Sequence, residues 1–189
     1  NLMRVLILGV TGMLGNAVFR FFSRGSQHEV WGTLRSKSDC DYFPKANQTQ
    51  LINGIDVLDQ EALVRVLNQV CPEVVINCTG LIKQMTTAND PLSILPINAL
   101  FPHQLAGLCQ LSRARLIQLS SDCVYSGRQG NYRESDISDA EDLYGKSKFI
   151  GEINGLSHVV TLRTSGIGHE CNSNNGLLEW FLSQQGQVK

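Results

Sequence analysis

The sequence has almost no net charge, and this excludes several classes of partner. Its 189 residues include 16 lysines and arginines and 17 aspartates and glutamates, for a formal net charge of −1. Proteins that bind nucleic acids or anionic membranes through general electrostatics carry a clear excess of positive charge. We therefore predict that neither nucleic acid nor a membrane surface is a partner.

The sequence also has few of the residue patterns that bind metals or form disulfides. Its 6 cysteines include no C-x-x-C pair, and its 4 histidines show no ligand spacing. A structural zinc site and a disulfide framework are therefore not expected. We find no signal peptide and no apolar run long enough to cross a bilayer. These features predict a cytoplasmic protein with no bound metal.

The first informative segment is a short apolar run followed by a glycine-rich turn. Val5–Leu8 is long enough for a buried strand and too short for a helix. Glycines then recur at every third position, at Gly9, Gly12 and Gly15. Such glycines permit a sharp turn, a close approach of a ligand to the backbone, and tight packing of the next helix on the strand. The turn predicts dinucleotide binding at a helix N-terminus, and a plain glycine-rich turn is the alternative.

Strand-like and helix-like segments alternate along the rest of the chain. This alternation predicts an α/β fold with a doubly wound parallel sheet, the Rossmann fold. We predict strands over 5–8, 28–33, 50–55, 74–77, 115–120 and 159–163. After the first helix, we predict a helix that Asp59 caps and Pro72 ends. We predict further helices within 91–111, with an irregular start at Pro96 and Pro102, over 144–153 and over 177–185.

The chain is long enough for one α/β domain and part of another. We assign residues 1–165 to a nucleotide-binding domain and residues 166–189 to the start of a substrate-binding region. On this assignment we expect the chain to be a fragment of a longer protein.

Two basic residues follow the second predicted strand. In dinucleotide-binding folds a carboxylate near this point binds the ribose 2′-hydroxyl of NAD. Residues 30–37 contain no carboxylate, and Arg35 and Lys37 lie there instead. Both favour the 2′-phosphate of NADP, although a solvated basic loop is the alternative. Asp56, after the third strand, is a candidate acceptor for the adenine amino group.

A second group of residues is suited to proton transfer. Ser121 follows the fifth strand, and Tyr144 and Lys148 lie four positions apart on the next helix, on one face. A tyrosine has an ordinary pKa near 10, and a neighbouring ammonium together with a cationic nicotinamide would lower it. The Ser121 hydroxyl could donate a hydrogen bond to a substrate carbonyl oxygen. A surface Tyr/Lys pair without catalytic function is the alternative.

Taken together, these motifs resemble the extended short-chain dehydrogenase/reductases, and most of all the dTDP-4-dehydrorhamnose reductases. The resemblance runs from Arg4 to about Ser165. It depends on the order and spacing of seven segments, which are 9–15, 77–80, 97–99, 119–125, 132–134, 143–148 and 162–165.

The resemblance implies roles for individual residues. Tyr144 would be the general acid, Lys148 its electrostatic partner and a ribose ligand, and Ser121 the hydroxyl that binds the carbonyl. Asn98 would support the lysine, and residues 163–165 would lie beside the nicotinamide. The complete predicted cofactor-binding set is Gly9, Thr11, Gly12, Met13, Leu14, Gly15, Arg35, Asp56, Val57, Cys78, Thr79, Gly80, Asn98, Tyr144 and Lys148.

The sequence departs from the family in two places. Residues 80–85 lack the acidic residues usual in rhamnose reductases, and Cys123 stands where an aromatic residue is common. The resemblance implies NADPH-dependent reduction of the 4-keto group of a nucleotide-linked deoxysugar, for polysaccharide precursors. An epimerase or dehydratase that retains its cofactor, and a non-catalytic NADP-binding regulatory subunit, are the alternatives. The expected partner is a nucleotide sugar, and a homodimer is left open.

Overall fold

The fold is built on a six-stranded parallel sheet with the strand order β3-β2-β1-β4-β5-β6. The computed structural model describes residues 2–25, 27–83, 89–171 and 176–184. Strands β2 and β3 lie on one side of β1 and strands β4 to β6 on the other, so the order in which strands are added to the sheet reverses between β1 and β4. The strands are β1 Arg4–Leu8, β2 Glu29–Thr33, β3 Leu51–Ile52, β4 Val74–Asn77, β5 Arg115–Ser121 and β6 Val159–Thr164.

Helices cover both faces of the sheet, as a doubly wound fold requires. One apolar cluster includes Leu6, Leu63 and Leu105, and the other includes Ile7, Phe19 and Val30. Alternate residues of β1 thus point to opposite faces, which confirms the predicted fold class. The helices are α1 Met13–Ser23, α2 Lys45–Gln48, α3 Gln60–Val70, α4 Pro91–Leu95, α5 Phe101–Leu111, α6 Leu143–Ile150 and α7 Leu177–Ser183.

Several element boundaries differ from the predicted ones. Strand β3 pairs only over Leu51–Ile52, because Gly54 adopts a positive φ of 75° and turns the chain away. Helix α6 ends at Ile150, with Gly151 as its C-cap, and not at Ile153. The short helix α2 and the 3₁₀ helix Lys37–Tyr42 were not predicted, since neither has an apolar periodicity to reveal it. Gln185, the predicted end of the last helix, lies outside the described residues.

The predicted helix within 91–111 is continuous but irregular. Residues Pro96–Leu100 form a π-helical turn between α4 and α5, in which the Phe101 amide bonds to the Pro96 carbonyl oxygen. Pro102 lacks an amide hydrogen, so the carbonyl group of Asn98 has no α-helical donor four residues later. Pro96 and Pro102 make the start of this helix irregular, and the irregularity is the π-helical turn Pro96–Leu100.

The combined helix Pro91–Leu111 also corrects one expectation. Its 21 residues are long and apolar enough, by length and composition, to cross a membrane. Part of the helix is buried against the sheet, through Ile94, Phe101 and Leu105. A helix in the core of a fold meets the same criterion of length and composition, and the packing places this helix in the core.

Candidate active site

The glycine-rich turn joins β1 to α1 at the carboxyl edge of the sheet. Gly9 has a φ of 79°, and a Cβ atom there would lie 2.8 Å from the Thr79 Cγ2 atom. The Gly9 amide donates a hydrogen bond to the Thr33 Oγ1 atom at 3.3 Å, which ties the turn to the end of β2. The backbone conformation and the neighbouring loop therefore both exclude a side chain at Gly9.

The turn leaves the first amides of α1 without a side-chain acceptor. Gly12 is the N-cap residue and makes no side-chain capping bond. A Cβ atom at Gly12 would have only the Gly9 carbonyl oxygen nearby, at 3.5 Å, so the space in front of the helix is open. Open amides at a helix N-terminus suit a pyrophosphate. These residues therefore fit the dinucleotide that the sequence predicts.

The Met13 and Leu14 side chains face the segment that follows β6. A Cβ atom at Gly166 would lie 2.9 Å from Met13 Cε and 3.2 Å from Leu14 Cδ2. Residues about 150 positions apart in sequence therefore meet at the glycine-rich turn. Thr11 lies within the turn itself and is half-buried.

Arg35 and Lys37 lie just beyond β2, exposed to solvent. Among the described residues, neither takes part in an ion pair or a side-chain hydrogen bond. Both cations are therefore available to an anionic ligand at this edge of the sheet.

Asp56, after β3, is exposed too, but its Oδ1 atom accepts the Leu58 amide at 3.0 Å. Val57 packs against the core.

A buried pair of amide side chains lies under the next loop. Asn77 on β4 and Gln118 on β5 are paired in register, and Asn77 Nδ2 donates to Gln118 Oε1 at 2.8 Å. The Asn77 Oδ1 atom accepts the Thr79 amide at 3.1 Å and the Thr79 hydroxyl at 2.5 Å. These bonds fix the loop that starts at Cys78. Burial raises the pKa of the Cys78 thiol to about 12, so this thiol is neutral at physiological pH.

Asn98 holds the same loop from the opposite side. Its Oδ1 atom accepts the Leu81 amide at 2.9 Å, and its Nδ2 atom donates to the Leu81 carbonyl oxygen at 3.0 Å. The Nδ2 atom also lies 3.3 Å from Ser147 Oγ on α6. The predicted support of Lys148 by Asn98 is not seen as a direct bond. Asn98 instead orients the loop at Gly80, which borders Lys148.

Lys148 is buried and bonded to the strand beside it. Its side chain is 8% exposed, and its Nζ atom donates to the Leu119 carbonyl oxygen at 2.8 Å. Burial lowers the pKa of Lys148 to about 8, while the Glu152 carboxylate and the Cys78 thiol act in the opposite direction. At neutral pH the ammonium therefore remains largely protonated.

Tyr144 lies on the same helix, next to Ser121. Burial raises the pKa of the Tyr144 phenol above its ordinary value, and a hydrogen bond with Ser121 acts in the opposite direction. Lys148 is not among the groups that shift the pKa of Tyr144 in this structure, and the expected lowering by a bound cationic nicotinamide stays a prediction. Ser121 Oγ also accepts the Cys123 amide at 3.1 Å. The phenol therefore keeps its proton at physiological pH and is a proton donor in this state.

Close backbone packing fixes α6 in place. A Cβ atom at Gly145 would lie 2.2 Å from the Cys123 carbonyl oxygen. Asp142 caps the helix by accepting the Gly145 amide at 2.7 Å, and its other oxygen accepts Lys83 Nζ at 2.7 Å. The glycine and the cap are part of the site, and the sequence did not identify either. Residues 80–85 lack the acidic residues usual in rhamnose reductases. Residues 84 and 85 of this segment lie outside the described residues.

The Arg163 side chain is held by a carboxylate and a phenol, while the place of residues 163–165 beside the nicotinamide stays a prediction. Its Nε and Nη2 atoms bond to the two carboxylate oxygens of Glu152 at 2.8 and 2.7 Å. Its Nη1 atom donates to the Tyr125 hydroxyl. A surface depression of about 450 Å³ lies beside this cluster and is lined by residues of 122–127 and 132–134 and by Arg163. Its lining starts at Asp122, one residue after Ser121, and includes none of Ser121, Tyr144 and Lys148. Its nearness in sequence to Ser121 makes it the candidate substrate cleft.

The described residues contain no group of three or more His, Cys, Asp and Glu side chains that could hold a metal ion. A second depression of about 500 Å³ lies between Leu58–Glu61 and Pro96–Gln104, on a different part of the surface from Ser121.

Residues 3–186 match the protein-family model described as the RmlD substrate binding domain. The chain belongs to this family. The match confirms the similarity to the dTDP-4-dehydrorhamnose reductases, within an extended short-chain dehydrogenase/reductase fold. The division into residues 1–165 and 166–189 stays a prediction.

One curated relative is methionine adenosyltransferase 2 subunit beta from Bos taurus. The chain is 33% identical to it over 149 residues, which are 79% of this chain and 41% of that protein. The chain thus spans about two fifths of the length of this relative.

Two solved structures place the fold among nucleotide-sugar enzymes. A hypothetical dTDP-4-dehydrorhamnose reductase from Sulfolobus tokodaii has a TM-score of 0.73 and 27% identity, and the match covers 87% of this chain and 56% of that one. The dTDP-4-dehydrorhamnose reductase of Bacillus anthracis, crystallised with NADP, has a TM-score of 0.67 and 21% identity, with 86% and 53% covered. At this identity the second likeness concerns the fold.

Proposed function

We propose that the protein is an NADPH-dependent reductase of the 4-keto group of a nucleotide-linked deoxysugar. The observation that carries the proposal is the convergence of Ser121, Tyr144 and Lys148 at the same carboxyl edge of the sheet as the glycine-rich turn. In open α/β sheets this edge, at the point where the strand order reverses, is where ligands bind.

Each of the three side chains has a state suited to its role. Tyr144, with its raised pKa, is protonated and can donate a proton to the substrate oxygen. The Ser121 hydroxyl can bind the same oxygen as negative charge develops on it. The Lys148 ammonium provides positive charge in a buried setting, where electrostatic stabilisation is large.

A bound NADPH would supply the hydride for the carbonyl carbon. The amides at the start of α1 and the glycines of the turn are suited to its pyrophosphate. Arg35 and Lys37, both exposed and unpaired among the described side chains, are suited to its 2′-phosphate. The preference for NADP over NAD is part of the proposal and is supported by these two cations.

A non-catalytic subunit is the second candidate function. It is favoured by the 33% identity to a protein named as a subunit of methionine adenosyltransferase 2. In this role the chain would bind NADP and contribute to a larger assembly. The presence of all three predicted catalytic residues favours the reductase, since a binding role requires none of them.

We also propose a cytoplasmic location, consistent with soluble nucleotide-sugar substrates.

The deciding experiment uses the full-length protein that contains this chain. Binding of NADPH and NADH is measured first, and then NADPH oxidation with a panel of 4-keto nucleotide sugars. Oxidation with one member identifies a reductase and its substrate. Tight NADPH binding without oxidation by any member contradicts the reductase. In that case, co-elution with a methionine adenosyltransferase catalytic subunit in size-exclusion chromatography tests the second candidate, and conversion of sugar without net NADPH oxidation would indicate an epimerase.

A further inference from the structure

Glu152 has a deeply buried carboxylate next to the candidate site. Its side chain is 2% exposed, and Arg163 binds both of its oxygens. The Oε1 atom also accepts the Ser120 hydroxyl at 2.7 Å. A buried carboxylate requires such partners, because an unpaired charge in a protein interior is strongly unfavourable.

The ion pair connects the two elements that carry the predicted catalytic residues. Ser120 directly precedes Ser121 on β5, and Glu152 comes one residue after Gly151, the C-cap of α6. Arg163 lies on β6, which pairs with β5 so that Ser120 is opposite Arg163. The ends of β5 and α6 are therefore both bonded to one charged pair.

Arg163 extends the connection to the loop beyond β5. Its Nη1 atom donates to the Tyr125 hydroxyl and, at 3.2 Å, to the Glu134 carbonyl oxygen. Its guanidinium group lies 5.0 Å from the centre of the Tyr125 ring. The loop that follows Ser121 is thus held by the same pair.

The charge of Glu152 also acts on Lys148. Two titratable groups act on the Lys148 ammonium: Glu152, just beyond the C-cap of its own helix, and Cys78, which directly follows β4. Tyr144 lies four residues before Lys148 on α6. The Cys78 thiol and the Tyr144 phenol, both with raised pKa values, are neutral near pH 8. Among the described residues, Glu152 is therefore the anion that favours the charged form of Lys148.

We propose that Glu152 is a positioning residue of the catalytic site, which keeps Lys148 charged and holds the end of α6 against the end of β5. The proposal deepens the proposed function and rests on it for the role of Lys148. The competing account is an ion pair that contributes to stability alone. The two accounts differ in what happens to Lys148 when the charge of Glu152 is removed and its shape is kept.

Glu152→Gln makes this change, because the amide oxygen can still accept the Ser120 hydroxyl. We expect the pKa of Lys148 to fall below its value of about 8, since the opposing carboxylate is lost while burial remains. The shift should be about half a pH unit or more. Glu152→Asp keeps the charge and should restore most of the pKa even if the melting temperature stays low.

Glu141→Gln is the matched control. It removes the same charge from an ion pair, the one with Arg128 at 2.7 Å, in which both side chains are well exposed. We expect no change in the Lys148 pKa. The measurement is an NMR titration of lysine ¹³Cε resonances in the full-length protein, with Lys148→Arg to assign the signal.

An equal Lys148 pKa in Glu152→Gln and Glu141→Gln would overturn the proposal. If Glu152→Gln does not fold, the double variant with Arg163→Met removes both charges of the pair and leaves none uncompensated. Arg163 is not among the groups that shift Lys148, so the double variant should lower the pKa in the same direction.

The titration needs neither substrate nor turnover. Failure of the wild-type protein to oxidise NADPH contradicts the reductase and leaves the titration interpretable. Where turnover is found, the alkaline limb of its pH profile should move to lower pH in Glu152→Gln, and should stay unchanged in Glu141→Gln.

Discussion

A Cβ atom on Gly15 would lie 2.1 Å from the carbonyl oxygen of Gly9. The first turn of α1 is thus packed directly on the backbone of the preceding turn, with no room for a side chain. The same carbonyl oxygen accepts the Gly12 amide at 3.2 Å, so it cannot move away without breaking the turn. The position of the α1 N-terminus depends on this contact.

Gly15→Ala should therefore destabilise the protein and weaken NADPH binding together. We expect a loss of about 3 kcal/mol or more in the free energy of unfolding, because the clash is with backbone. Gly107→Ala is the control, since no atom lies within 4 Å of its would-be Cβ atom. It should be neutral or stabilising by up to about 1 kcal/mol. Denaturant unfolding and NADPH titration measure both effects, and similar stabilities for the two variants would contradict the packing argument.

Tyr144→Phe should abolish turnover and leave NADPH affinity nearly unchanged. The substitution removes only the proton donor, which the raised pKa keeps protonated. Steady-state kinetics should therefore show a loss in kcat of at least about 100-fold, whereas the measured NADPH affinity should stay nearly the same. Tyr42→Phe, at a partly exposed position in a 3₁₀ helix, should leave both unchanged. Activity retained in Tyr144→Phe would assign the proton transfer to another group.

Arg35→Ala should weaken NADPH binding far more than NADH binding. Loss of a charge-assisted hydrogen bond to a phosphate corresponds to about 10-fold or more in affinity. Arg24→Ala removes the same charge at the far end of α1, beyond Ser23, and should change neither affinity much. Fluorescence titrations with both cofactors give the ratio, and equal losses for NADPH and NADH would remove Arg35 from the 2′-phosphate site.

Lys148→Met should abolish turnover and stabilise the protein. The folded-state pKa of about 8 lies below the ordinary value of 10.5, so the unfolded chain binds more protons between these two values. Burial of the ammonium is therefore unfavourable at pH 7, and an apolar side chain of similar length should raise the free energy of unfolding by about 1–3 kcal/mol.

The same pKa sets a pH dependence. Wild-type stability should rise relative to Lys148→Met as the pH increases from about 8 to 10.5, because the unfavourable charge is lost over this window. Thermal melts across this range measure the difference between the two proteins. Lys146→Met, on the exposed face of α6, is the control and should show neither effect. A lower melting temperature for Lys148→Met at pH 7 would show that its bond to Leu119 outweighs burial.

Local patterns predicted much of the fold because they depend on neighbours in sequence. Strands β1 and β4 begin and end within one residue of their predicted positions, and Asp59 caps α3 through the Ala62 amide at 3.0 Å, as expected. The glycine-rich turn was also predicted, since its backbone conformation depends on the three glycines within it. These features are local, and the sequence displays them directly.

The rest depends on contacts between distant residues. Ser120, Glu152 and Arg163 are separated by 32 and 11 residues, and no spacing rule joins them. The sequence showed the lysine near Tyr144, but it showed neither the burial that raises the pKa of this phenol nor the Leu119 carbonyl oxygen that binds the Lys148 ammonium. The π-helical turn at Asn98 likewise needed the structure, although Pro102 explains it.

The central position of β1 has a consequence for the order of assembly. Val5 pairs with Val30 on one side, but on the other side it pairs with Val74, about 70 residues later in the chain. During synthesis β1, α1 and β2 can associate early, whereas the β4 edge is added only after that later segment has emerged. The proposed nucleotide site lies where these two halves meet, so a nascent chain completes this site only when the β4 segment has joined β1.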